Sequence, residues 1–111
     1  MDKKTVDLDK TIVYEIIADM HKALKKHGVK DNHIALFGSF LSGNSHKDSD
    51  IDMIIISNSF EGKNLFERIN MTLQAESDVR NRYIVPMDIL LKTPEEYAYS
   101  KKAYFDSEIV V

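Results

Sequence analysis

Three acids and one glycine-serine pair hold the residue types and spacing that could do chemistry. Asp50 and Asp52 flank Ile51 at the mouth of an apolar run that continues Met53-Ile54-Ile55-Ile56, and Asp88 interrupts another, Met87-Asp88-Ile89-Leu90-Leu91. Residues two apart in an extended strand share a face, so Asp50 and Asp52 project together while Ile51 and Met53 turn the other way. Two ionised carboxylates so placed repel, which raises the pKa of one unless a cation lies between them. A hard divalent ion such as Mg2+, which takes oxygen ligands, relieves that repulsion. Asp88 implies the same need, because a charge within an otherwise apolar strand is rarely buried unless it is paired or bound to metal.

The glycine-serine pair adds an anion site. Gly38-Ser39 closes the run Ile34-Ala35-Leu36-Phe37, and a helical turn through Phe40 and Leu41 beginning there would aim free backbone N–H groups at an anion. Gly38 lets the backbone come close, and Ser39 offers a hydroxyl and its own N–H. Carboxylates beside a phosphate cradle fit nucleotidyl transfer. Two Mg2+ ions would act there, one lowering the pKa of an acceptor hydroxyl and the other neutralising a triphosphate and its leaving pyrophosphate. A phosphohydrolase could also use such ions but has less need of a second phosphate cradle.

Positioning these groups requires a particular sheet. The short apolar runs, bounded by Gly, Asn and Ser, read as strands over 34–37, 50–57 and about 86–91. If Asp88 joins Asp50 and Asp52, the second and third strands both start at the site and are parallel, and a helix from about Asn64 to Arg82 supplies the crossover. Gly38-Ser39 ends the first strand, so that strand must run antiparallel to the second. The expected fold is α/β of the α+β kind, in the order α-β-α-β-α-β-α, with a small mixed sheet of at least three strands and helices packed on it.

The helices have their own signals. Asp7 or Asp9 can cap a first helix in which Ile12, Val13, Ile16, Ile17, Met20 and Leu24 recur every three to four residues, with Lys25, Lys26 and His27 at its end and Gly28 after it. Asn58-Ser59 can cap the second, whose apolar stripe is Leu65, Phe66, Ile69, Leu73 and Val79. Thr93-Pro94-Glu95-Glu96 has the form of a capping box for a last helix running through Tyr97 and Tyr104. Whether Ile109-Val110-Val111 returns to the sheet edge is left open.

At 111 residues, the chain suits a single domain spanning 1–111, with residues 1–6 polar and frayed. Its net charge of -3 and scattered Lys and Arg form no basic stripe, which disfavours a long nucleic acid but not a nucleotide. There is no Cys for disulfides or thiolate metal sites. No signal peptide or membrane span is visible, so a cytoplasmic address and no membrane partner are expected.

Gly38-Ser39, ten intervening residues, Asp50-Ile51-Asp52 and the distal Asp88 together resemble the signature of the polymerase-beta-type nucleotidyltransferase superfamily, and the short chain resembles its minimal (MNT) branch. The joint pattern, with apolar strands in the right order over about residues 10 to 105, is specific where either motif alone is weak. The resemblance implies that Asp50 and Asp52 bind both catalytic metals, that Asp88 completes the metal site and helps activate the acceptor, and that Gly38 and Ser39 contact phosphates. Many minimal members carry an arginine directly after the glycine-serine pair, where this chain has Phe40-Leu41-Ser42-Gly43. Lys47, or an arginine elsewhere, would have to supply that contact.

The implied donor is ATP or another NTP, and the implied acceptor is a hydroxyl, with tyrosine on an all-helical HEPN toxin favoured because the minimal branch resembles antitoxins that modify such partners. Self-association is compatible with the sequence. Two other readings stand beside it: a small-molecule nucleotidyltransferase, and a catalytically silent nucleotide- or partner-binding module of the same fold. Asp48 reads as a turn residue, and His21, His27, His33 and His46 show no shared metal-ligand spacing. Arg80 and Arg82 read as helix-end charges, and Tyr97, Tyr99, Tyr104 and Phe105 as core or an interface.

Overall fold

The computed structural model describes residues 4–5, 9–38, 50–103 and 107–111. Among the described residues three helices, α1 (Lys10–Lys26), α2 (Leu65–Arg82) and α3 (Pro94–Ala103), accompany a four-stranded mixed sheet of β2 (Asn32–Phe37), β3 (Ile51–Ser57), β5 (Met87–Lys92) and β6 (Ser107–Ile109). The strand order is β5-β3-β2-β6, with β3 parallel to β5 and antiparallel to β2, the mixed arrangement expected from the sequence. The C-terminal segment does reach the sheet: β6 lies antiparallel along β2, and the Val110 N–H donates to the Ile34 carbonyl at 2.8 Å. A second, two-residue pairing joins β1 (Lys4–Thr5) in parallel to β4 (Tyr83–Ile84), which the polar start of the chain does not announce.

Local chemistry explains the helix boundaries. The Asp9 side chain caps α1 by accepting the Ile12 N–H, and Gly28, at φ 97°, follows its C-cap residue His27. The cap of α2 differs from the sequence expectation. Asn58–Phe60 form a separate 3-10 turn capped by Ser57, and Asn64 starts α2 through a reciprocal capping box with Glu67. The Thr93–Glu96 box forms as expected: Glu96 N–H donates to Thr93 Oγ1 and Thr93 N–H to the Glu96 carboxylate.

The main core lies between one sheet face and the α1–α2 layer. Val13, Ile16, Ile17, Met20 and Leu24 of α1 meet Ile34, Leu36, Ile51, Met53 and Ile55 of the sheet. Most of the stripe expected on α2 faces outward. Leu65, Phe66, Ile69 and Leu73 are 66%, 73%, 43% and 57% exposed, and the residues α2 buries are Thr72, Ala75 and Val79. Two helical faces overlap in this sequence, and the one lined by small residues admits the closer approach to α1. The opposite sheet face carries a smaller cluster, Ala35, Ile54 and Ile56 with Tyr97 of α3, edged by Phe37 and Leu90.

Arg68 fixes how α3 joins this layer. Its guanidinium donates to Glu96 at 2.6 and 3.2 Å and to the Leu91 carbonyl, and lies over the Phe60 ring. The bonds from Arg68 and then from the Thr93 amide hold the Glu96 carboxyl down at about 2. Among the described residues no helix is long and apolar enough to cross a membrane.

Candidate active site

The parallel pairing of β3 and β5 sets Asp52 directly beside Asp88. Neighbouring strands are about 4.8 Å apart, so the two side chains spring from adjacent backbones. Their flanking residues decide the face. Met53 and Ile89 turn into the main core, whereas Ile54 and Leu90 belong to the cluster under α3. Asp52 and Asp88 are in step with the second pair, so both stand on the α3 side of the sheet. Asp50 is exposed and lies one residue before β3, outside the strand expected over 50–57, so the strand alternation that sets the face of Asp52 does not extend to it.

Asp88 itself is exposed, not buried as its apolar neighbours suggest. It sits near the start of β5, at an edge of the four-stranded sheet, where water reaches a strand that sequence alone makes look interior. The expectation that Asp88 is buried is therefore not met; what the structure gives is register, which sets its carboxylate beside that of Asp52.

β2 brings the glycine turn to the same place. Its last residue, Phe37, is the antiparallel partner of Asp52, so Gly38 emerges next to that carboxylate. Gly38 has φ 75°, and a Cβ built on it would lie 2.0 Å from Asp52 Oδ2. The site end of the sheet is thus a row, Asp88, Asp52, Phe37 and Ser107, one residue from each strand. Phe37 and Ser107 escaped the sequence reading. Alternation from Ala35 could have placed Phe37, whereas nothing local marks Ser107, whose hydroxyl meets Tyr97 Oη at 2.7 Å.

Ser39, Lys47 and Asp48, together with Phe40, Leu41 and His46, lie outside the described residues. Among the described residues no three His, Cys, Asp or Glu side chains converge to hold a metal ion as they stand. The donor chemistry nevertheless suits a hard cation: Asp52 and Asp88 offer carboxylate oxygens from one face.

Several other titratable residues have structural partners. His21 meets Asn32 at 2.7 Å, and His33 meets the Val111 carbonyl at 3.1 Å. His27 Nε2 lies 2.7 Å from Asp78, whose carboxyl that contact holds below its usual range. Arg80 and Arg82 pair with Glu76 and Asp19 near the end of α2. Tyr83, hydrogen-bonded to Asp19, has its hydroxyl pKa pushed up, first by burial and then by that bond.

The model of the nucleotidyltransferase domain matches residues 17–111, which include the paired acids and the glycine turn. The chain belongs to the nucleotidyltransferase-domain family. The fold of this nucleotidyltransferase-family chain recurs in solved structures. A provisionally named nucleotidyltransferase from Sulfolobus solfataricus superposes with a TM-score of 0.68 at 17% identity, covering 89% of this chain and 79% of that one. Another provisionally named nucleotidyltransferase gives 0.60 at 23% identity, covering 84% of this chain and 95% of its own. A toxin–antitoxin structure with AMP-PNP gives 0.53 at 18% identity, covering 86% and 72% respectively. No curated protein matches the chain. At these identities the structural matches speak for the fold, and membership of the family supports transferase activity.

Proposed function

We propose that the protein transfers a nucleoside monophosphate, AMP from ATP, to a hydroxyl acceptor in a Mg2+-dependent reaction. The observation that carries this reading is the Asp52–Asp88 pair, in register on one sheet face and beside the Gly38 turn. Asp50, Asp52 and Asp88 would hold the Mg2+ ions. When bound, the metal lowers the pKa of the acceptor hydroxyl and neutralises charge on the triphosphate. Gly38 and Ser39 would orient the phosphates in line with the acceptor, with Lys47 as a further cation for the phosphates. The acceptor oxygen forms a bond to the α-phosphorus and the bond to the β-phosphate bridge breaks, releasing pyrophosphate. Asp88, exposed at the sheet edge, takes the acceptor proton.

The toxin–antitoxin structure with AMP-PNP supports an adenine nucleotide as ligand and a protein as partner. The acceptor we favour is a tyrosine hydroxyl on a HEPN-like helical toxin, with this chain as its minimal-branch antitoxin. Incubation with α-labelled ATP, Mg2+ and a co-purifying partner tests the reading. Label should pass to the partner, and Asp52→Ala should reduce transfer by at least about 100-fold, as expected when a group stabilising transition-state charge is removed. Tight ATP binding without transfer in any partner context would instead mark a silent binding module, and transfer only to small molecules would replace the acceptor.

A further inference from the structure

Gly38 is more constrained than a phosphate-binding turn requires. Its φ of 75° lies in the left-handed region, which by itself favours glycine but admits asparagine at modest strain. Contacts add a second constraint that comes from the protein and not from a ligand. A Cβ on Gly38 would fall 2.0 Å from Oδ2, 2.8 Å from Cγ and 3.0 Å from Cβ of Asp52. Rotating the carboxylate could relieve the first two contacts. The third is with an atom fixed by the β3 backbone, which is laddered to β2 on one side and to β5 on the other. Any side chain at position 38 must therefore drive the Asp52 carboxylate to another rotamer or separate β2 from β3 at their site ends.

We infer that Gly38 is a positioning residue for Asp52: the hydrogen where a side chain would stand keeps the carboxylate in place on the face it shares with Asp88. The phosphate-facing turn and the acid at the centre of the sheet are then one mechanical unit. A change in the turn moves the carboxylate even when no nucleotide is present. The bearing of this on catalysis rests on the reading proposed above, but the contact itself does not.

A double-mutant cycle separates the two. Gly38→Ala and Gly38→Asn are made in the wild-type chain and in the Asp52→Gly chain, and each is melted without nucleotide or metal. Both substitutions should lower Tm in the wild-type chain, and the larger part of each loss should disappear with Asp52→Gly, because the atoms met by the new Cβ are gone. The asparagine variant tolerates the positive φ, so its coupling isolates the clash, and it covers the case in which Gly38→Ala fails to fold. Equal Tm losses in the two backgrounds would overturn the inference, since strain in φ alone would then account for the glycine.

Mn2+ affinity measured without nucleotide supplies the functional readout. Gly38→Asn should weaken it by about tenfold or more, as loss of a group that orients a metal ligand does. A residue serving only the phosphates would raise the KM for ATP and leave Mn2+ affinity unchanged, and that result would also overturn the inference. A wild-type chain that binds no Mn2+ would count against the metal-dependent reading, while the Tm cycle would still decide the Gly38–Asp52 contact.

Discussion

The two faces of β3 show how one strand can serve as foundation and as site. On one face Ile51, Met53 and Ile55 are fully buried beneath α1 and α2, within a core that takes in most of the buried apolar side chains among the described residues. On the other, Ile54 and Ile56 pack in a small cluster with Tyr97, and the strand's first turn outward is Asp52. The apolar face holds the backbone in register. The opposite face can then carry Asp52 in register with Asp88. The site lies where the cover is thin, and the energy that keeps its geometry comes from the side where the cover is thick.

That contrast is broken most severely from below. Ile55→Ala removes a fully buried side chain from the main core and should cost about 2–5 kcal/mol in urea denaturation. A loss below this range would mean that the foundation is shared more evenly between the faces. From above, the site should be repulsive until a cation arrives. Mg2+ at about 100 times its Kd should stabilise the wild-type chain by about 2.7 kcal/mol, and Asp52→Asn should abolish the Tm increase. An equal Mg2+ response in the variant would move the metal away from this face.

Smaller effects sharpen the picture at the margins. Glu96 ties α3 to Arg68, and because it is partly exposed its substitution by Gln should cost no more than about 1 kcal/mol at neutral pH. Its carboxyl is held at about 2 against an ordinary 4.5, so the folded form is favoured while it is ionised. The gap in Tm between wild type and Glu96→Gln should be constant above the ordinary value and close as the pH falls through that of the folded state. A gap that widened on acidification would contradict the pairing. Least of all, Leu73→Gln on the outer face of α2 should change the stability of the isolated chain by no more than about 0.5 kcal/mol, in contrast to Ile55.

Much of the architecture was legible from particular residues. The capping box at Thr93–Glu96, the amphipathic spacing of α1 and the strands around Ile54 and Leu36 are local signals, and each forms where the sequence places it. The stripe on α2 misled because periodicity shows that a helix has an apolar face without saying which face meets the core. The role of Asp88 was inferred through a burial that does not occur, since an edge strand and a central strand can share one apolar composition. Ser107 and the pairing of Lys4–Thr5 with Tyr83–Ile84 had no local signal at all, because they are made by partners distant in the chain.

What the amino-acid order determined by itself was the set of ingredients: strands that begin with acids, a turn that needs glycine, and helices bounded by their caps, all of which depend on neighbours a few residues apart. Tertiary structure alone decided that Asp52 and Asp88 stand in one register and on one face, that Phe37 and Ser107 extend their row, and that Gly38 meets Asp52 closely enough to exclude a side chain. Register is a property of pairs of strands, and a shift of one residue would have turned the acid of either strand to the opposite face.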